Sequence, residues 1–407
     1  MRHPWDLLRL PASVWNPAFL AALILFIVAV AGAQDTSSRK FTVKPLLLPG
    51  ANGLVMLDYF AWDHTSRRLW VPAANTGSVD VIDTTTDQIK RVEGFYVAQV
   101  ELRGKLRPMG PSSIAIGDGV VYVGSRADSK ICTIDSRTLK RRDCIAFASP
   151  AAGIAAAPDG LIYIAATREL WATSGAPSIG IPAADRSIKI LSASQPTTLI
   201  PAGKIPLPGS AEGYAVDNLH RRFYTNLEET GQTVAIDVRK RAVVFTWRSC
   251  DDPSGVAVDS KRGFVFVACS DHVIVLDTAH DGRVAGSIPT GAGVDNIDYD
   301  EDAGLLYAAA AETAQLTVAR VDDGGKPTPL VVVPTTKGAR SVVAGANGCA
   351  YLIDPLGGRI LNGRAQLVRT SVDAIRLDLP SSTTKSFRAM GGGFGEFCTD
   401  LLRRLVG

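Results

Sequence analysis

Histidine is scarce in this sequence, with five residues among 407. His3 precedes the first long apolar run, and His64, His220 and His280 fall where turns are expected, which leaves His272 as the one imidazole near a possible site. No G-x-S-x-G elbow occurs, so the common framework of a serine hydrolase is missing; a set built from Ser254, His272 and Asp252 is all that could be assembled. An excess of one charge sign is also lacking. Lys and Arg number 43 against 40 Asp and Glu, which argues against nucleic acid as a partner, since a polyanion footprint needs clustered cations. The short basic runs Arg137 to Arg142 and Arg239 to Arg241 sit in predicted turns and read as solvated. Helical periodicity is almost absent, and no apolar run after residue 33 is long enough to span a bilayer.

The first 33 residues have a different character. Arg2 and Arg9 precede the run AFLAALILFIVAVAGA, Ala18 to Ala33, and Ala31-Gly32-Ala33 ahead of Gln34 has the small-x-small form of a signal-peptidase site. The expected organisation is a signal peptide over 1–33, one folded domain over 34–380 and a Ser/Thr- and Gly-rich flexible tail over 381–407. An uncleaved anchor is the alternative for the leader. Export implies a periplasmic or secreted protein in an oxidising compartment, where the six cysteines are expected to pair.

Internal repeats decide the fold class. The segment VIVLD at Val273 to Asp277 is echoed by VDVID at Val79, ICTID at Ile131 and TVAID at Thr233, with weaker copies SIKIL at Ser187, LTVAR at Leu316 and GRILN at Gly358. A second series comprises DYFAWD at Asp58, SSIAIG at Ser112, AGIAAA at Ala152, EGYAVD at Glu212, SGVAVD at Ser254, DNIDYD at Asp295 and RSVVAG at Arg340. Each member is followed by a turn and a strand with aromatic residues, such as RRLWVP, GLIYIA or GFVFVA. Short alternating strands separated by turns point to a radially repeated sheet. The prediction is an all-β protein, a seven-bladed β-propeller of four-stranded antiparallel blades. KFTVKPLLLP, Lys40 to Pro49, is expected to supply the outer strand of the last blade and so close the ring, with AQLVRTSVDAIRLDLP after Arg364 as its rival. Two stretches, Val92 to Pro108 and Arg168 to Asp185, read as insertions, and the second is a candidate lid over the channel mouth.

The blade pattern also places the cysteines. Cys250 and Cys269 fall in loops on one face, one strand apart, and are expected to form a disulfide; the alternatives are a free thiol pair or zinc or copper held with His272. Cys132 and Cys144 face each other across a hairpin, and by elimination Cys349 would take Cys398.

The ordered set Cys250, Pro253-Ser254-Gly255, Cys269, GAGVD ending at Asp295, LTV at Leu316 to Val318 and GARS at Gly338 to Ser341 resembles the exported YncE-type (YVTN-repeat) propeller proteins from about Phe41 to about Asn362. FVAC and LWVP stand where the motif that names those repeats would be. The resemblance implies a seven-bladed propeller outside the cytoplasm and says little about activity.

Aligning the blades brings one residue from each inner strand to the channel mouth: Asp58, Ser112, Ala152, Glu212, Ser254, Asp295 and Arg340. Arg340 suits a carboxylate or phosphate ligand. Asp58, Glu212, Asp295 and Asn296 offer oxygens to a hard cation. The expected function is non-catalytic binding of a small molecule, peptide or partner protein at that mouth, with no cofactor required. The alternative is a metal-dependent, lactonase-like hydrolase using a divalent calcium or zinc ion there. The bland counterpart of both is a solvated channel whose acids are balanced by Arg340 and water.

Overall fold

A computed structural model of the chain describes residues 39–102, 105–147, 157–175, 186–195 and 198–367. The predicted signal peptide, the tail over 381–407, Ala152 and Cys398 lie outside the described residues. Seven four-stranded antiparallel sheets follow one another along the chain, together with one two-stranded hairpin, Ala98–Leu102 with Lys105–Met109, between the first and second sheets. The predicted seven-bladed propeller is the fold.

Each blade runs from an inner strand outward. Blade 1 is Ala61–Asp63, Arg68–Ala73, Ser78–Asp83 and Ile89–Glu93. Blade 4 is Ala211–Asp217, Arg222–Leu227, Gln232–Asp237 and Ala242–Arg248. The last blade consists of Val342–Ala344, Cys349–Asp354 and Arg359–Leu367, with Arg39–Leu47 as its outer strand. The first strand of the domain therefore completes the last sheet, as expected from Lys40 to Pro49.

The repeats have two local causes. An aspartate at the end of the third strand turns the chain: Asp83 Oδ1 accepts from the Thr85 and Thr86 N–H groups, and Asp135 and Asp237 do the same two and three residues ahead. These bonds hold the carboxyls of Asp83, Asp135 and Asp237 below the usual range. The aromatic position of the second strand makes the core. Trp70, Tyr122, Trp171, Tyr224, Phe266, Tyr307 and Tyr351 are each at most 3% exposed, and among the described residues the buried apolar side chains form seven clusters, each drawn from two adjacent blades. A second strand is therefore apolar on both faces, because each face meets a neighbouring blade.

Blade 3 corrects the sequence reading. GLIYIA was expected to be a second strand, and Arg168 to Asp185 an insertion. Instead, Ala157–Ile164 is the innermost strand and Glu169–Gly175 the second, with Trp171 opposite Ile162. The Pro158-Asp159-Gly160 stretch, which resembles a turn, is an irregularity in the pairing between Pro158 and Leu161. Gly160 sits under the Tyr214 ring, where a Cβ would come within 2.0 Å of the ring. The remainder of the expected lid, residues 176–185, lies outside the described residues.

Two of the expected disulfides form, Cys132 with Cys144 and Cys250 with Cys269. Both sulfurs of the second pair are thus bonded and cannot act as thiolate ligands beside His272, whose ring instead meets Asp271 Oδ1 at 2.7 Å. Cys349 is a free cysteine. Non-reducing peptide mapping of the purified protein should yield the two linked pairs; either pair recovered as free thiols under oxidising conditions contradicts the assignment. A second expectation concerns Gly213, at φ +62°, whose added Cβ would lie 2.2 Å from the Ser254 carbonyl oxygen of the next blade. Gly213→Ala should cost at least about 1–2 kcal/mol from the left-handed backbone alone, read as a lower thermal midpoint by circular dichroism. A melt superimposable on the wild type would contradict it.

Candidate functional site

Pairing irregularities recur where the inner strands begin. The register shifts between Pro111 and Ser113, Pro158 and Leu161, Glu212 and Tyr214, and Val294 and Ile297. Such bulges take a residue out of the ladder and re-aim its side chain. Here they release Asp159 and Asp295 from regular pairing at one end of the channel, and in blade 4 they release Gly213, beside the paired Glu212.

These side chains meet in a chain of alternating charge. Arg340 Nη2 donates to Asp58 Oδ1 at 3.3 Å, and its Nη1 lies 3.2 Å from Asp295 Oδ2. Arg126 pairs closely with Asp159 and lies 3.9 Å from Asp58 Oδ2. The order is Asp159, Arg126, Asp58, Arg340, Asp295, contributed by blades 3, 2, 1, 7 and 6. Glu212, from blade 4, accepts a hydrogen bond from the Tyr59 hydroxyl at 2.8 Å. It has no ion-pair partner among the described residues.

Burial dominates the electrostatics. It pushes Asp58 up to about 6, against the opposing pull of Arg340 and Arg126. Glu212 is pushed up to about 8, first by burial and then by Asp159 and Asp295, with the Tyr59 bond opposing. Asp58 and Asp295 hold Arg340 above its ordinary value. Burial, followed by the Glu212 charge, places the Tyr59 hydroxyl well above its usual range.

Of the residues expected at the mouth, Asp58, Glu212, Asp295 and Arg340 come together. Asn296 is turned away, its Nδ2 donating to Ser341 Oγ at 3.3 Å. Ser112 and Ser254 donate to backbone carbonyls, Gly124 at 3.4 Å and Val294 at 3.3 Å. The Ser254 hydroxyl is thus committed away from His272, and the serine-centred set does not assemble. Three members of the site went unrecognised in the sequence. Arg126 follows a second strand, Tyr59 adjoins Asp58, and Asp159 was hidden by the blade 3 frame. DYFAWD and RADSK were already signals, since a second strand ends on the face where an inner strand begins.

Below this ring lies a cavity of about 1230 Å³. Tyr59, Tyr214, Asn296 and Ser341 line its upper end; His64, Leu219, Lys261 and Asp302, which follow inner strands, line the other.

No protein-family model matches the chain, and no curated protein matches it in sequence. Solved structures do match. A chain of the mitotic checkpoint complex is 13% identical, with a TM-score of 0.60 over 80% of this chain and 94% of that one. Hydrazine synthase of Kuenenia stuttgartiensis is 12% identical, with a TM-score of 0.60 over 79% and 99%. A streptogramin B lyase is 10% identical, with a TM-score of 0.59 over 82% and 100%. What they share with this chain is the propeller fold. These neighbours include a checkpoint assembly and two enzymes, so the fold is compatible with binding and with catalysis.

Glu212 gives the ring a testable pH signature. Its carboxyl titrates near 4.5 in an unfolded chain and at about 8 in the folded one, so between those values the folded state carries a proton that the unfolded state has lost. Stability from this group is greatest below the lower value and falls as pH rises through the window. Asp58 acts in the same direction between 3.8 and about 6. Urea midpoints should therefore drop from pH 5 to pH 8, and drop less in Glu212→Gln. An identical pH dependence in that variant would remove Glu212 as the source.

Proposed function

We propose that the chain is an exported, non-catalytic β-propeller of the YncE (YVTN-repeat) kind that binds a small molecule, a peptide or a partner protein at the channel mouth. One observation carries the reading: of the four carboxyl groups in the ring, Glu212 alone has no guanidinium within ion-pair distance among the described residues. A ligand cation or hydrogen-bond donor would complete it. Arg340, with its side chain 41% exposed, retains N–H groups that could take a ligand acceptor nearby. Two disulfides are consistent with an extracytoplasmic location.

The metal-dependent hydrolase reading is the weaker one. Asp58, Asp159 and Asp295 already meet the cationic side chains Arg126 and Arg340, and no group of three metal-ligating side chains occurs among the described residues. A calcium or zinc ion would have to displace a guanidinium to gain the oxygens it needs.

Thermal-shift screening of the purified protein against amino acids, amines, short peptides and lactones tests both readings, with and without calcium. A stabilising compound should bind about tenfold or more weakly to Glu212→Gln or Arg340→Ala, the scale of one lost charge-assisted hydrogen bond. Binding unaffected by both substitutions would move the site away from the mouth. Lactone turnover abolished by a chelator would replace this reading with the hydrolytic one.

A further inference from the structure

The cavity below the ring contains a carboxylate that breaks the blade pattern. Strand register fixes the equivalent positions, because in every blade one inner-strand residue lies opposite the aromatic of the second strand. Ala61, Ala115, Ile162, Ala215, Ala257 and Val343 hold that position in six blades. In blade 6 it is Asp298, opposite Tyr307. One oxygen of Asp298 accepts from the Ala344 N–H at 2.7 Å and the other from its neighbour, the Tyr299 N–H, at 2.8 Å. No Lys, Arg or His pairs with it among the described residues. A half-buried carboxylate with no cationic partner among the described residues, placed where six equivalents are apolar, works against packing, and such departures concentrate at functional positions.

The surroundings state what would balance it. Asp298 shares the cavity of about 1230 Å³ with Tyr59, Trp62, Tyr163, Tyr214 and Tyr299. The Trp62 Nε1 atom is buried without a hydrogen-bond partner. Aromatic faces attract a cation, and one carboxylate among them supplies its counter-charge. Three or more hard oxygen ligands, which a metal ion would require, are not gathered there.

We propose that the central cavity is a binding site for a small organic cation whose charged nitrogen is held by Asp298 among the aromatic side chains. This site lies below the mouth and meets it at Tyr59, and the turns bearing Leu219 and Lys261 lie at its other end.

Isothermal titration of the full chain with benzyltrimethylammonium, alongside the uncharged analogue in which carbon replaces the quaternary nitrogen, tests the assignment. Saturable binding of the cation is expected, with tryptophan fluorescence changing through Trp62. The uncharged analogue should bind about tenfold or more weakly, as should the cation to Asp298→Asn, the scale of a lost charge contact. Glu212→Gln, which reaches the cavity only through the Tyr59 hydroxyl, should weaken the cation less than Asp298→Asn does. No saturable binding, or equal affinity of the charged and uncharged probes for the wild type, overturns the proposal even if Asp298→Asn fails to fold. Binding weakened by Glu212→Gln but not by Asp298→Asn overturns it as well, and places the cation at the mouth instead.

Discussion

Each blade presents two apolar faces, and neither can be covered within the blade. A four-stranded sheet of this size gains its stability only when both faces are buried, so every blade needs two neighbours and the last must meet the first. That junction joins segments far apart in the chain. Leu57, Val71, Ile353 and Ile360 pack across it, Arg39–Leu47 completes the final sheet, and Arg340 reaches Asp58 over 282 residues. Closure entropy grows only logarithmically with length, whereas the junction buries an apolar cluster of the same kind as those between the other adjacent blades. The core can therefore pay for a connection spanning almost the whole domain.

The same geometry creates the charged ring. Inner strands converge as they begin, and the bulges there take residues out of ladder pairing and turn them toward the channel. Exposed carboxyls crowded in this way would repel one another. Loss of solvent adds to that cost, and it is the main reason Asp58 and Glu212 are elevated. Arg126 and Arg340 offset it by each standing between two acids, so that every bridging guanidinium also links blades. Surface pairs contribute little by themselves; these are partly buried and joined in series, so removing one member leaves its neighbours without compensation. The ring is accordingly both a clamp on the closed propeller and a set of groups whose charges are largely matched within the protein.

Much of this was legible in the sequence. Aspartates ending the third strands and aromatics centring the second strands recur because a turn and an interface demand them, and a repeated physical demand writes a repeated pattern. Blade 3 was misread for the same reason. Tyr163 in GLIYIA imitates a second-strand aromatic, whereas Trp171 holds that place, and Pro158-Asp159-Gly160 has the composition of a turn although it is a bulge whose glycine makes room for Tyr214. Side-chain partners across blades were less accessible still. Nothing in the spacing of Arg126 or Tyr59 announces that they meet Asp159 and Glu212, since those contacts depend on how far each blade is rotated about the ring.

The channel thus has two ends with opposite electrostatic logic. At the ring, the protein supplies nearly all its own counter-charges, and a charged ligand must displace an internal partner or use Glu212. In the cavity, Asp298 has backbone donors but no cation, although the pattern of the other six blades shows that an alanine, valine or isoleucine is accommodated at that register. Backbone N–H groups satisfy the geometry of a carboxylate without cancelling its charge, so hydrogen bonding explains how Asp298 is tolerated and not why it is there. A counter-charge from outside the chain accounts for both, and the aromatic side chains that line the same cavity favour one carried on an organic group.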